Sequence, residues 1–307
     1  MLKKNGKSEV LEGAYVSLSD LLSIRHRVFN YTEEKSTLMA GNQSGIKLSK
    51  YNGRGIEFSE VRPYQPGDDV RSIDWRVTAR KNRPHTKVFH EEREHPTIIA
   101  VDQSQNMFFG SDVRLKSVAA AELASRIAWQ TLKLGDRIGG FVKTNHGYQL
   151  HKPKRSQKSV AQFLNRVSTS NQALTRKTQN TQNSFVDELV HLNRLSKNRY
   201  RIYLITDFNG EIEKWNETIA KLSRSNQLTC LHIVDPLERV LPESGHYSVT
   251  DGKTRVQFFT GNRKTLADYQ NQFLHQCALL KDICFQHAVR YLQIETSQKN
   301  LDSVRLY

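Results

Sequence analysis

After Thr97 the chain carries four short runs that are apolar almost throughout: Ile98 to Val101, Ile138 to Val142, Tyr200 to Thr206 and Leu228 to Val234. Runs of this length with no polar alternation suit strands buried on both faces. Between them the period changes to three or four. Val113, Lys116, Ala120, Leu123, Ala124, Ile127, Ala128 and Leu132 form one stripe, closed by Gly135-Asp136. Helical patterns also cover Val160–Val167, Phe185–Leu195 and Trp215–Ser223. Strands alternating with helices predict a doubly wound α/β domain with a mostly parallel sheet. The theme continues to the end of the chain. Val256 to Phe259 reads as a strand, and Leu266, Tyr269, Phe273, Cys277, Leu280 and Cys284 read as a helical core stripe. Arg290 to Ile294 reads as a last strand. Ser168 to Asn183, rich in Ser, Thr, Asn and Gln, reads as a mobile loop.

The first third follows a different pattern. Leu18, Leu21, Leu22, Arg25 and Val28 share one helical face over Ser17–Asn30, with Ser17 or Ser19 placed to cap it. Gly41, Gly45, Gly53 and Gly55 follow in a turn-rich segment. Ile56, Phe58 and Val61 suggest a short strand, Pro66-Gly67-Asp68-Asp69 a turn, and Thr86 to His90 another strand. The expected organisation is a helical segment over 1–43, a small β-rich subdomain over 44–95 and the α/β domain over 96–307.

Composition narrows the class. Of 307 residues, 37% are apolar and 25% charged, which is a globular balance. No apolar run approaches membrane-spanning length, and Met1 to Glu12 is basic without the apolar stretch of a signal peptide, so a cytoplasmic protein with no membrane span is expected. Cys230, Cys277 and Cys284 show no metal-like spacing and read as buried thiols. The net charge of +15 is uneven: Lys143 to Arg201 holds twelve Lys or Arg against Asp187 and Glu188. Such a stretch suits a solvated face, an acidic partner or a nucleic acid. No aromatic-rich RNA motif or zinc finger accompanies it, so a nucleic-acid-binding module using the 143–201 face stays an alternative only. The chain has no phosphate-binding GxxxxGK[ST] loop, no HExxH and no GxSxG, and no nucleotide cofactor is expected.

Ligands of open parallel sheets bind beyond the carboxyl ends of the strands. Asp102 follows the run ending at Val101, and Asp207 follows the run ending at Thr206. Ser104 and Asn106 extend from Asp102 at alternate positions. Carboxylate, hydroxyl and amide oxygens are hard ligands suited to Mg²⁺ or Mn²⁺. The same residues also serve as helix and turn caps, and spacing alone favours caps.

Asp102-Gln103-Ser104-Gln105-Asn106 together with Ile205-Thr206-Asp207-Phe208 resembles the metal-ion-dependent adhesion site of von Willebrand A domains. More specifically, the chain resembles the bacterial family called domain of unknown function 58, through GRGIEFSEVRPYQPGDDVRSIDWRVTAR at Gly53–Arg80 and VFHEERE after it. The resemblance implies a von Willebrand A-like fold with a β-rich insertion. It implies work beside a MoxR-type AAA ATPase in chaperone-like assembly or activation of a client protein. It further implies that Asp102, Ser104 and Asp207 stand at adhesion-site ligand positions. Asn106 stands where the full site has a second Ser, and the Thr of the full site has three candidates, Thr175, Thr178 and Thr181. The implied function is a non-enzymatic protein-binding adaptor.

In the Gly53–Arg80 region, Glu57, Glu60, Asp68, Asp69, Asp74, Glu91, Glu92 and Glu94 are dense enough for a metal-dependent hydrolase or nuclease. Interleaved Arg54, Arg62, Arg71, Arg76, Arg80 and Arg93 fit structural ion pairs better. Arg62, Asp68, Asp69, Trp75 and Arg80 are the candidates for a partner surface, with Trp75 either a buried anchor or an interface residue.

Overall fold

The computed structural model describes residues 11–39, 57–90, 96–175, 184–195, 199–241, 245–250, 255–259 and 263–304. In chain order the elements are α1 (Leu18–Met39), β1 (Glu57–Pro63), α2 (Trp75–Lys81), β2 (His85–His90), β3 (Thr97–Asp102), α3 (Lys116–Lys133), β4 (Ile138–Thr144) and β5 (Gly147–Lys154). Then come α4 (Gln157–Gln172), α5 (Phe185–Leu195), β6 (Arg201–Thr206), α6 (Ile212–Ser223), β7 (Gln227–Val234), α7 (Pro236–Arg239), β8 (His246–Thr250), β9 (Arg255–Phe259), α8 (Arg263–Gln286) and β10 (Arg290–Glu295). Contacts divide the chain into two units, Met1–Glu33 with His95–Tyr307, and Glu34–Glu94. The first helix thus begins within the α/β unit, whereas the sequence pattern set it apart as 1–43. Its apolar stripe explains this: Leu21, Ile24 and Val28 are buried in the same core as α3.

The six-stranded sheet of the larger unit runs β10-β7-β6-β3-β4-β5. All neighbours are parallel except β5, which pairs antiparallel with β4. Counting only the strands of this sheet, the order is 3-2-1-4-5-6, that of a doubly wound fold. The fold is von Willebrand A-like, as expected. Successive residues of β3 feed opposite cores, Ile99 and Val101 one and Ile98 and Ala100 the other. Two-sided burial is why this strand shows no polar alternation. α1, α3 and α4 cover one face, and α5, α6 and α8 the other. The alanines at 119, 120, 121, 124 and 128 let α3 be buried all round. Gly140 has a specific reason: a Cβ there would lie 2.1 Å from the Phe163 ring of α4.

Two expectations for this unit need correction, the loop at Ser168 and the core stripe of α8. Ser168 to Gln172 is not loop but the last turns of α4, with Ser168, Ser170 and Asn171 buried. Their polar groups are satisfied from afar: the Ser168 hydroxyl donates to Val16 O (3.0 Å), and Asn171 Oδ1 accepts from Val16 N (2.9 Å). Of the Thr candidates, Thr175 is exposed, and Thr178 and Thr181 lie outside the described residues. The stripe on α8 is core only near its end: Leu280 and Cys284 are buried, while Tyr269 is exposed. Sequence patterning also missed β5, a strand at the sheet edge, and β8, which pairs with β9 in a separate ribbon.

The smaller unit holds the antiparallel pair β1–β2 with α2 between them. Residues 65–68 form the expected turn, with Asp68 N donating to Gln65 O (3.0 Å) and Gly67 at φ 107° after Pro66. Arg62 grips Asp68 through two bonds of 2.9 and 2.7 Å. Asp69 caps a short 3-10 turn by accepting from Arg71 N (2.9 Å), and Asp74 caps α2. Trp75 is not a buried anchor: it occupies the exposed first turn of α2, 69% accessible. Arg80 is exposed in the last turn of the same helix. Asp68, Asp69 and Asp74 therefore serve an ion pair and caps, and Glu91, Glu92 and Glu94 lie outside the described residues.

Candidate functional site

β3 and β6 are neighbours, and the connections from their carboxyl ends lead to opposite faces of the sheet. This is the switch point where an open α/β sheet forms a crevice. Asp102 ends β3, buried at 2% accessibility. Its Oδ1 accepts from Ser104 N (2.9 Å), and its Oδ2 accepts from the Thr206 hydroxyl at the end of β6 (2.9 Å). Asp207 follows Thr206. Its Oδ1 accepts from Asn209 N (3.2 Å), and its Oδ2 accepts from Lys116 Nζ (3.0 Å). Lys116 opens α3 and also donates to Glu238 Oε1 (2.7 Å), with the Phe109 ring 5.6 Å away. Its side chain is 3% accessible.

Several bonds fix this geometry. Gln103 donates through Nε2 to Ser117 O (2.9 Å) and accepts from Asn171 Nδ2 (3.1 Å), tying the loop after β3 to α3 and α4. Gln105 N donates to Asn145 Oδ1 (2.8 Å). Asp235 after β7 accepts from Ser111 N (2.9 Å) and from the Thr296 hydroxyl (2.6 Å). Glu238 is oriented by a capping box, its Oε2 accepting from Asp235 N (2.9 Å). Next to Asp102, Lys143 is its register partner on β4 and donates to Glu188 Oε1 (2.8 Å), both side chains buried. The first residue of the basic 143–201 stretch is thus inside the molecule. Beyond Thr206 lies His232, its Nδ1 2.7 Å from the Tyr291 hydroxyl.

The charges sort themselves by environment. Burial, with Asp207 beside it, pushes the Asp102 carboxyl up to about 6. Burial opposes ionisation of Asp207 as well, but Lys116 holds that carboxyl below its ordinary value. Burial works against the Lys116 ammonium, yet Asp207 and Glu238 keep its pKa above the usual lysine value. Burial takes His232 down to about 4, so it is a neutral ring at pH 7. The product is a buried pole with one ammonium shared between two carboxylates and a second aspartate held by hydroxyl and amide donors.

The expected ligands are only partly assembled. Asp102, Ser104 and Asp207 converge at the strand ends, while Asn106 sits exposed on the 3-10 turn Gln105–Met107. Measured against a divalent cation, this donor set fits poorly. Asp207 Oδ2 is already bound to the Lys116 ammonium, and an added cation would meet like charge beside it. Among the described residues no group of three His, Cys, Asp or Glu could hold a metal. Lys116 and Glu238 had no assigned role in the sequence. The legible signal was Lys116 itself, a charged residue on the otherwise apolar stripe of α3. Phe208, directly after Asp207, is buried with φ 50°, a left-handed conformation rare for a bulky side chain. Its ring packs on Trp215, with centroids 4.6 Å apart, and edge-on to His232 at 5.5 Å. Around this pole Phe109 is 40% accessible, and Asn106, Ser111, Asp112 and Asn209 are exposed.

Similar solved structures include the conserved hypothetical protein BatB of Bacteroides thetaiotaomicron, at 18% identity and TM-score 0.41 over 66% of this chain and 91% of that one. The SpRpn10 VWA domain is similar at 11% identity and TM-score 0.38 over 67% and 90%. An uncharacterized protein of Mycobacterium tuberculosis, and its counterpart in Mycobacterium bovis, are 27% identical over 212 residues, 69% of this chain. The chain spans 65% of the length of those relatives. Among the described residues no helix is long and apolar enough to cross a membrane. The profile of the family described as "Protein of unknown function DUF58" matches residues 60–278, and the chain belongs to that family.

Proposed function

We propose that the chain is a protein-binding adaptor without catalysis of its own, acting in the cytoplasm beside a MoxR-type AAA ATPase in the assembly or activation of a client protein. The observation that carries this reading is the internal pairing at the strand ends. Asp102, Lys116, Asp207 and Glu238 are engaged with one another or with Thr206 and backbone amides. Such a pole holds its loops in place. The groups of the rim that face solvent, Phe109, Asp112 and Asn209, set an aromatic ring among small polar residues. Aromatic anchors ringed by polar groups suit protein recognition. The acids of β1 to β2 support the same reading, since Asp68, Asp69 and Asp74 are spent on an ion pair and caps.

The test is affinity capture of the full chain with the MoxR-type ATPase from the same bacterium, with wild type compared to Phe109→Glu. A charge placed on the rim should reduce capture at least about tenfold, equivalent to 1.4 kcal/mol, with the thermal unfolding midpoint unchanged. Equal capture by both proteins would remove the strand-end rim as the docking surface. Failure of the wild type to capture the ATPase would remove that partner.

A further inference from the structure

The cation that an adhesion site takes from solution has a counterpart inside this chain. Lys116 Nζ lies 3.0 Å from Asp207 Oδ2 and 2.7 Å from Glu238 Oε1. Asp207 is one of the residues implied as a metal ligand, and Asp102 joins it through the shared Thr206 hydroxyl, 2.9 Å from Asp102 Oδ2 and 3.5 Å from Asp207 Oδ1. The lysine is not a surface side chain that swung inward. It arises from the first turn of α3, whose amide at Lys116 donates to Phe109 O (2.7 Å), and the whole residue is 2% accessible. A buried ammonium persists only where carboxylates compensate it. Two carboxylates do so here, Asp207 just after β6 and Glu238 in α7 after β7. An ammonium carries one charge, offers three donors and needs no dehydrated coordination shell. It offsets one of the two carboxylate charges and bonds to both, leaving no coordination position open to a partner's carboxylate.

We infer that Lys116 stands in place of the divalent ion, so that the strand-end site is permanently closed by a cation of its own chain and works without Mg²⁺ or Mn²⁺. The site keeps the acids of an adhesion site and has exchanged the diffusible cation for a tethered one. The charge of the pole is set within the chain, whichever partner meets the rim.

The experiment is Mn²⁺ binding to the full chain, read by electron paramagnetic resonance and calorimetry, for wild type, Lys116→Ser and Lys116→Arg. The wild type and Lys116→Arg should show no saturable site up to millimolar Mn²⁺, and their thermal midpoints should be the same in Mn²⁺ and in chelator. Lys116→Ser removes the ammonium held between Asp207 and Glu238. It should gain a saturable site at least about tenfold tighter than any wild-type signal, and lose it again when Asp207→Asn is added. Two results would overturn the inference. One is a saturable wild-type site abolished by Asp102→Ala. The other is a folded Lys116→Ser protein that binds no more Mn²⁺ than wild type. If Lys116→Ser does not fold, the wild-type measurement decides alone.

Discussion

Ala288 ends α8 in a conformation that alanine resists. Its φ is 53°, its amide donates to Phe285 O (3.1 Å), and the amide of Val289 donates to Cys284 O (2.7 Å). This is the double bond of a helix C-cap whose left-handed residue is usually glycine. A non-glycine residue there carries a strain of roughly 1–2 kcal/mol. Ala288 is exposed, so its methyl contributes little in return. Ala288→Gly should therefore stabilise the chain by about 0.5–1 kcal/mol in urea unfolding, the cost of a more flexible unfolded chain included. A loss of stability would show that the methyl packs. At this scale the sequence was readable where a residue acts on its neighbours. The Pro66-Gly67 turn and the caps at Asp69 and Asp74 are local, and the first of them was foreseen. Lys116 was visible as a charge on an apolar stripe, but its purpose was not. Asp207 and Glu238 lie 91 and 122 positions further on, and no local pattern joins them. For Trp75 the sequence left burial and a place on a partner surface both open, and only the fold shows that it starts an exposed turn.

Among the elements, the buried strands were the clearest signal, because β3, β6 and β7 are enclosed on both sides and tolerate few polar residues. β5 escaped because an edge strand has water along much of its length. Its burial alternates only weakly, from Gly147 to Lys154. The end of α4 escaped because its polar residues are buried against Val16 and Gln103, partners that a sequence window cannot contain. β5 and α4 are joined by His151, whose Nε2 lies 2.7 Å from the Ser159 hydroxyl. Burial, with Arg166 and Lys154 nearby, holds the pKa of His151 below its ordinary value of 6.5. The sign follows: below that pH the unfolded chain takes up a proton that the folded chain refuses. The stability His151 contributes is complete above about 6.5 and is lost as the pH falls further. His151→Gln retains a donor for Ser159 and cannot charge. Wild type should lose more stability than the variant between about pH 7.5 and about pH 5.5, by at most about 1 kcal/mol. Parallel stability curves would exclude His151 as the source of acid sensitivity.

On the scale of the whole molecule, the alternation of runs and helices implied a doubly wound, mostly parallel sheet with Asp102 and Asp207 at strand ends, while the order of the strands came only with the structure. The grouping of the first helix with the α/β unit was not legible, since it depends on contacts between α1 and α3. The Gly53–Arg80 stretch belongs to the second unit, and its exposed Trp75 supplies a prediction about partner choice. Trp75→Ala should shift unfolding by less than about 0.5 kcal/mol, as surface changes do, and should weaken capture of the ATPase if the smaller unit shares in docking. Unchanged capture would confine docking to the larger unit, and a large loss of stability would place the indole in a core. The strand order also has a kinetic consequence. β3, β4 and β5 come from one continuous stretch, and β6, β7 and β10 from a later one, so the sheet closes by pairing Thr97 with Arg201 and the residues that follow. Contacts so distant in sequence form slowly, because a long loop must be closed before they are rewarded. Lys116 comes from the earlier stretch and its two carboxylates from the later. The pole is therefore assembled only when the halves meet, and a partner that recognises its rim would select chains that have finished folding.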